Sequence, residues 1–333
     1  MTPRIPDRLS VAVAAFLAEK TAELSPYSVK HLRSSLNSLA DALADPLLSD
    51  VAYDDLRTYA DGLRLKYAPG TIKSVIGDIR QFWRWCKKRR YVAKNPAKRL
   101  KSPSRRVLLD AAESKAPPED DIQGLLDHLT AQLENVVYRD LFGNLCHALA
   151  DEWSYDERQA VRDLFILSFL YETGARAGEL WRLGSQAMEA AVSGPGPVYR
   201  AASTGKTGDV TLRFTIATAE LWAVWNAVRP PGGGTAAYAV VGWKRGRAPA
   251  PMTTPTLSKV LARRCRQIGL PPFRAHALRH AKIQRGVNAV GLEATSRLIG
   301  HGSAIVTAGY AVAGERELND AALATGLHGR LWT

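Results

Sequence analysis

The sequence contains few cysteines and no long apolar run. Its three cysteines, Cys86, Cys146 and Cys265, lie far apart and form no CxxC pair. A structural disulfide or a zinc site is therefore not expected, and a reducing, cytoplasmic setting is the default. No stretch approaches the roughly 20 apolar residues that a membrane-spanning helix needs. The first residues also lack the apolar core of a signal peptide. We therefore expect a cytoplasmic protein that is not attached to a membrane.

Acidic residues are missing from two long tracts. Residues 79–109 contain twelve lysines or arginines and no acid, and residues 221–292 again contain twelve and none. The formal net charge is +13 and the pI about 9.8, which favours a polyanionic partner such as DNA. A single basic cluster is usually only a solvated face, but two long tracts indicate two DNA-facing surfaces. The residues that we expect to contact DNA are Lys87, Lys88, Arg89, Arg90, Lys101, Arg105, Arg106, Lys244, Arg245 and Arg247.

The length of 333 residues allows two domains, each with its own core. Residues 1–100 are predicted to be helical: Ser25-Pro26 is a helix start, and apolar residues recur at helical spacing over 72–86. Residues 101–114 are predicted to be a basic linker, and residues 115–333 a second domain. In that domain 198–203 and 210–216 are predicted strands, joined by a short turn. The expected fold is mainly α with a small antiparallel β-sheet.

Several residues of the second half of the chain fit chemistry on a phosphate group. Arg176 follows a glycine and opens a predicted helix, and Glu179, one turn later, is placed to hold its guanidinium. Arg279 lies three residues after His276, on the same helical face. Attack on a phosphodiester adds negative charge to its non-bridging oxygens, which two arginines can bind bidentately. Each residue alone is more often structural, but together they indicate phosphoryl transfer.

Tyr310, nine residues after His301, is the candidate nucleophile. The ordinary pKa of tyrosine is near 10, so neighbouring cations or a base must favour its phenolate. Lys206, on the turn between the two predicted strands, is suited to protonate the departing 5′ oxygen. No pair of carboxylates with metal-ligand spacing accompanies these residues. We therefore expect chemistry that requires neither a metal nor another cofactor.

These segments resemble the sequence boxes of the tyrosine recombinases, the family of phage integrases and Xer-type recombinases. The resemblance extends over nearly the whole chain. It rests on TGAR…EL at 173–180, GKTG at 205–208, HALRH at 276–280, IGH at 299–301, and Tyr310 at the usual interval. It implies a helical, SAM-like core-binding domain followed by a tyrosine-recombinase catalytic domain.

The resemblance also implies a role for each residue of the set. Arg176 and Arg279 would bind the scissile phosphate, and His301 would hydrogen-bond it. Tyr310 would be the nucleophile, with Lys206 as the general acid and His276 assisting as base. Glu179 and His280 would support these residues. The implied enzyme is a site-specific DNA recombinase that forms a 3′-phosphotyrosyl intermediate during integration, excision or cointegrate resolution of a mobile element. Its implied partners are double-stranded DNA with inverted-repeat core sites and three further copies of the chain in a homotetramer, with accessory proteins allowed for.

Two alternatives remain open at this stage. A type IB topoisomerase-like relaxing enzyme shares the chemistry but works as a monomer. A non-cleaving DNA-binding protein of the same fold would need only the basic surfaces. After Tyr310, the apolar residues Leu318, Ala321, Ala322 and Leu323 recur at helical spacing. The family resemblance favours docking of this tail on a neighbouring subunit, and packing on its own domain is the alternative.

Overall fold

The computed structural model describes residues 7–104, 116–140, 143–194, 196–205, 208–231, 237–244, 247–300 and 322–326, except for the side chain of residue 292. The chain divides into two compact units, Met1–Ser114 and Lys115–Thr333. None of the helices in these ranges is both long and apolar enough to cross a membrane.

The described part of the first unit consists of helices, as predicted. They are α1 (Leu9–Glu23), α2 (Pro26–Ala42), α3 (Tyr53–Arg64), α4 (Pro69–Lys88) and a 3₁₀ turn, Pro96–Arg99. Ser25 caps α2, since its side chain accepts a hydrogen bond from the backbone N–H of Ser28. The apolar stripe of α4 is buried and packs against α1, α2 and α3. Phe16 of α1 meets Phe82 and Trp85 of α4 edge to face, which ties the two helices together.

The second unit combines helices with short antiparallel strand pairs. Its helices are α5 (Glu119–Ala131), α6 (Tyr155–Thr173), α7 (Ala177–Trp181), α8 (Ser185–Val192), α9 (Ile216–Val228), α10 (Thr254–Gln267) and α11 (Ala275–Ile299). Its strands are β1 (Val137–Arg139), β2 (Leu145–His147), β3 (Val198–Gly205), β4 (Gly208–Thr215), β5 (Val241–Gly242) and β6 (Ala250–Pro251). They pair β1 with β2, β3 with β4 and β5 with β6. This agrees with the predicted fold class.

Helix α6 is the centre of this unit. Almost every residue from Gln159 to Thr173 is buried, because α5, α9, α10 and α11 all pack on it. A reciprocal pair of hydrogen bonds between Ser154 and Glu157 caps its start. Gly174 ends it in the left-handed conformation, with φ 64°. The apolar run 157–171 predicts a helix that stops at Gly174, and the observed helix extends two residues beyond this range at each end.

Two predicted helices, 276–288 and 293–299, run together as α11. The glycine at their junction, Gly291, has φ 83° and ψ 169°, so it marks a kink and not an uninterrupted helix. A helix predicted over 303–309 lies outside the described residues. The hairpin of β3 and β4 matches its prediction, with Gly205 opposite Gly208 at the turn.

The short segment 322–326 packs on its own unit. Ala322 is buried against Val198 and Leu298, and Thr325 is fully buried. In the single chain these residues therefore follow the alternative, packing on their own domain, and docking of the tail on a neighbouring subunit stays a prediction for the assembly on DNA. The reason for this packing is that polar partners for the backbone of this segment are present on α11, as described below.

Two glycines in the left-handed conformation allow a matched test of packing at the end of α6. A Cβ on Gly174 would lie 2.5 Å from Cδ1 of Ile299 and 3.1 Å from Cγ of Lys282, whereas one on Gly300, with φ 65°, would meet no described atom within 4 Å. We expect Gly300→Ala to cost about 1–2 kcal/mol through its backbone alone. Gly174→Ala should cost roughly 1–3 kcal/mol more, because Ile299 must move. Urea unfolding of both variants checks this, and equal losses would contradict it.

Candidate active site

Arg176 is held at the start of α7. Its Nη1 lies 2.7 Å from Oε1 of Glu179, and its backbone N–H donates to Oε2 of the same carboxylate, also at 2.7 Å. The ion pair predicted from the sequence is therefore present. Glu179 is buried, while the Arg176 side chain is 41% exposed. This carboxylate fixes one edge of the guanidinium and leaves other N–H groups free to bind an anion from solvent.

Arg279 links the ends of two helices. Its Nη1 donates to the carbonyl of Gly174 at 2.6 Å, and its Nη2 donates to the carbonyl of Ile299 at 3.1 Å. Gly174 lies two residues before Arg176, and Ile299 lies two residues before His301. Arg279 thereby brings the end of α6 and the end of α11 to one place. Its side chain is 2% exposed, so it is part of the floor of the site.

The two arginines lie close enough to influence each other. Burial, together with repulsion from Arg176, lowers the pKa of Arg279 to about 10, although attraction to Glu179 opposes this. A buried cation beside a second cation is unfavourable unless an anion balances the pair. Within the described residues, Glu179 supplies one such charge. A bound phosphate would supply another, which is the electrostatic property expected of an anion site.

The β3–β4 hairpin is attached directly to this region. The hydroxyl of Ser203 donates to the carbonyl of Glu179 at 2.6 Å, and Nε of Arg182 donates to the carbonyl of Thr204 at 2.9 Å. A Cβ on Gly205 would lie 3.3 Å from Oε1 of Glu179. The last described residue before the turn is therefore next to the carboxylate that positions Arg176.

His276 and His280 lie one turn apart at the start of α11. Their ring centroids are 4.7 Å apart and the rings meet edge to face, at 77°. His276 is exposed and His280 is half-buried. His276 thus lies at the surface of the helix that carries Arg279, where an incoming substrate can reach it.

Three of the predicted catalytic residues, Lys206, His301 and Tyr310, lie outside the described residues. The site as described consists of Arg176, Glu179, His276, Arg279 and His280. Their partners come from α6, α7, α11 and the hairpin, that is, from segments up to 105 residues apart in sequence. The arrangement provides two neighbouring guanidinium groups, that of Arg176 open to solvent and that of Arg279 buried. The exposed imidazole of His276 lies on the same helix as Arg279.

Sequence reasoning missed two buried ionisable residues near this site. Lys282 is 1% exposed on α11, and Glu172 is 1% exposed in the last turn of α6. A lysine in a tract of basic residues is usually interpreted as a DNA contact, and nothing in the residues next to Lys282 indicates that its side chain is buried. The spacing from Arg279 to Lys282, one helical turn, is the only hint that both face the same way.

The predicted DNA-binding residues of the first unit lie at the end of α4. Lys87, Lys88, Arg89 and Arg90 are all exposed, and so is Lys101. Arg89 is also ion-paired, with its Nη2 2.6 Å from Oε2 of Glu19. A hydrogen bond from Trp85, with help from Arg89, keeps the pKa of Glu19 below its usual range. The tract contains no acid in its sequence, but folding places the carboxylate of Glu19 beside it.

A cavity of about 780 Å³ extends this basic surface. Besides Lys87, its lining includes Lys94, Lys98 and Arg99, which were not among the predicted contacts. No acid occurs among its lining residues in the described part of the unit. These three residues belong to the same acid-free tract, residues 79–109. The whole tract therefore predicts the extent of the basic surface better than the run at 87–90 alone.

The second tract is divided between surface and interior. Lys244 and Arg247 are exposed, whereas Arg245 lies outside the described ranges, as do Arg105 and Arg106 of the first tract. Arg264 is buried with its Nε 2.7 Å from Oδ2 of Asp163, and Arg263 binds the same oxygen at 2.9 Å. The interpretation of this tract as one DNA-facing surface is therefore wrong for Arg264. Its balancing acid comes from α6, about 100 residues away.

Neutralising the run at the end of α4 should flatten the salt dependence of DNA binding. We expect Gln at 87, 88, 89 and 90 to reduce the slope of log affinity against log salt by roughly 2 to 3, at about 0.9 per phosphate contact. Arg89 should contribute least, because Glu19 already neutralises it. Arg57→Gln with Arg64→Gln is the control, since both arginines pair with Asp61. Fluorescence anisotropy at several salt concentrations checks this, and an unchanged slope would assign the run to a solvated face.

Comparison with solved structures identifies the fold. The chain is similar to a Tn1549 transposon integrase (residues 82–397) in complex with circular intermediate DNA, with TM-score 0.63 and 14% identity over 94% of this chain and 98% of that one. It is also similar to lambda integrase (residues 75–356), a dimer bound to a COC′ core site, with TM-score 0.62 and 13% identity over 89% and 96%. A lambda integrase tetramer bound to a Holliday junction matches with TM-score 0.57 and 14% identity, over 89% and 78%. No family model and no curated protein sequence matches the chain.

These matches confirm the predicted fold. The chain has the fold of the tyrosine recombinases over about nine-tenths of its length. At 13–14% identity the likeness establishes the fold, and the chemistry has to be argued from the site itself.

Proposed function

We propose that this chain is a site-specific DNA recombinase that cleaves and rejoins DNA through a 3′-phosphotyrosyl intermediate. The observation that carries the proposal is the convergence of Arg176 and Arg279. Arg279 binds the carbonyl two residues before Arg176, and Glu179 fixes the exposed guanidinium. A recombinase needs an electropositive site for a phosphate whose negative charge increases during attack.

The proposed roles follow from exposure and position. Arg176 binds a non-bridging oxygen of the scissile phosphate directly. Arg279, which is buried, positions the ends of α6 and α11 and adds positive charge beneath the phosphate. His276 assists as base. Lys206, His301 and Tyr310 complete the set as general acid, phosphate ligand and nucleophile, on the strength of the sequence boxes. His280, one turn after His276 and in ring contact with it, supports the set.

The proposed architecture assigns one function to each part of the chain. Residues 1–100 bind the core site, 101–114 form a basic linker, and 115–333 carry the chemistry. The phosphotyrosyl ester conserves the energy of the broken bond, so strand exchange needs neither ATP nor a metal. Assembly of four copies on DNA, at inverted-repeat core sites, is part of the proposal. A lambda integrase tetramer on a Holliday junction supports it by its fold.

The test is cleavage of a nicked suicide duplex that carries the inverted repeat flanking the coding gene. We expect a covalent protein–DNA adduct at one fixed position, formed in chelator and without nucleotide. Binding without an adduct would instead identify a non-cleaving DNA-binding protein. A plasmid that lacks the repeat serves as the control substrate. Relaxation of this plasmid as fast as one that carries the repeat would favour the topoisomerase alternative.

A further inference from the structure

We propose that Glu172 and Lys282 form a charge-balanced receptor for the segment 322–326, in which each charge compensates the other when the segment docks. The proposal concerns docking of this segment and does not depend on the recombinase function. It rests on two adjacent residues of the segment: Lys282 hydrogen-bonds Thr325, and Glu172 lies beside Gly326.

Lys282 holds the segment by its backbone. Its Nζ donates to the carbonyl of Thr325 at 2.9 Å and also bonds the Thr325 hydroxyl. Arg285, one turn along α11, donates to the carbonyls of Thr325 at 2.8 Å and Gly326 at 3.1 Å. Two basic side chains on one helix thus donate to two consecutive carbonyls.

Glu172 lies beside the second of these two residues, Gly326. A Cβ on Gly326 would lie 2.7 Å from Oε1 of Glu172 and 2.8 Å from Cγ2 of Thr215, so only glycine fits without movement. The same carboxylate oxygen accepts the backbone N–H of Thr215 at 2.9 Å, which fixes it at the junction of β4 and α9. The receptor therefore recognises the Thr-Gly sequence of the segment by hydrogen bonds to threonine and by the space left for glycine.

Both receptor groups are titratable and buried. Burial lowers the pKa of Lys282 to about 7, against the opposing effect of Glu172. Burial raises the pKa of Glu172, against the charge of Lys282 and the hydrogen bond from the backbone N–H of Thr215. Among the described residues, the other charged groups nearby are Arg279, whose guanidinium binds Gly174 and Ile299, and Arg285, which stacks on Tyr171 and pairs with Glu119.

The signs of the two shifts are opposite. A lysine with a lowered pKa disfavours docking increasingly as the pH falls from its ordinary value toward 7, because docking must release its proton. A glutamate with a raised pKa disfavours docking increasingly as the pH rises above its ordinary value. When both are present, the two effects oppose each other, so docking should depend on pH less than when either group is present alone.

The test is hydrogen exchange of the segment in the full chain, measured by mass spectrometry and corrected for the intrinsic effect of pH. We expect protection in Glu172→Gln to fall as the pH falls from about 9 to 7, by up to tenfold per unit. In Lys282→Met it should fall as the pH rises from about 5. In the double variant Glu172→Gln with Lys282→Met it should be nearly constant, and in the unaltered chain it should vary less steeply than in either single variant.

The proposal would be overturned if protection changed with pH in the same direction in both single variants. It would also be overturned if both single variants showed the pH profile of the unaltered chain. A steep change of protection in the unaltered chain would overturn it as well, which keeps the test decisive if a core variant fails to fold. Gly326→Ala tests the receptor from the segment side. It should abolish protection of 322–326 at every pH while Ala324→Ser, at an exposed position, leaves protection intact. Full protection in Gly326→Ala would contradict the fit of the receptor to glycine.

Discussion

Tyr310→Phe is expected to abolish covalent attachment to DNA while leaving specific binding unchanged. Phenylalanine keeps the ring and removes only the oxygen that would attack the phosphate, so the fold and the basic surfaces are untouched. No other group of the proposed site replaces a phenolate as nucleophile: arginine is always charged, and the histidines serve as ligand and base. The measurement is a nicked suicide substrate, with adducts resolved on a denaturing gel.

The control for this variant is a tyrosine of the same domain outside the site. Tyr138 is 54% exposed on β1, so Tyr138→Phe should leave adduct formation unchanged. An adduct that persists in Tyr310→Phe at the rate of the unaltered protein would move the nucleophile elsewhere.

Arg176→Ala is expected to slow strand cleavage by about 10²- to 10³-fold, the usual loss when one donor to a developing oxyanion is removed. Affinity for uncleaved DNA should change little, because the interaction strengthens only as charge develops in the transition state. Arg176→Lys should recover part of the rate, since lysine keeps the charge and loses the bidentate geometry. The measurement is the single-turnover rate of adduct formation at saturating protein.

Arg182 offers a matched control for Arg176. It is an exposed arginine six residues further on, bonded to the hairpin carbonyl of Thr204 and lying 5.2 Å from the ring of Trp181. Arg182→Ala should stay within about threefold of the unaltered rate, the scale of a lost surface contact. If Arg176→Ala also stayed within about threefold, the phosphate-binding role proposed for it would be wrong.

Local signals in the sequence predicted most of the local structure. The cap at Ser25, the end of α6 at Gly174, the β3–β4 hairpin and the Arg176–Glu179 pair each depend on residues within a few positions of one another. Turn, cap and helix-face preferences act over that range, so a single sequence is enough to recognise them.

Long-range partners were not predictable from the same signals. Glu19 meets Arg89 across 70 residues, and Asp163 meets Arg264 across 101. In each case an acid on another helix neutralises a member of a tract that contains no acid of its own. Charge counted along the chain therefore overestimates the surface available to DNA, because it omits pairing brought about by folding.

The packing of segment 322–326 on Lys282 could not be predicted from local signals either. Leu318, Ala321, Ala322 and Leu323 form an apolar stripe in the sequence that fits docking in the same subunit as well as in a neighbour. What decides the outcome in the single chain is the pair of carbonyls at Thr325 and Gly326 and the cations of α11 that bind them. Backbone acceptors carry no signature in a sequence, so the choice could not be made without the fold.

The most direct test of the central claim is to identify the bond between protein and DNA. The covalent complex formed on the suicide substrate is digested with protease and nuclease, and the linked peptide is sequenced by mass spectrometry. We predict one nucleotide attached through its 3′ phosphate to the oxygen of Tyr310, formed in the presence of chelator. Attachment to any other residue, or through a 5′ phosphate, would contradict the proposed chemistry.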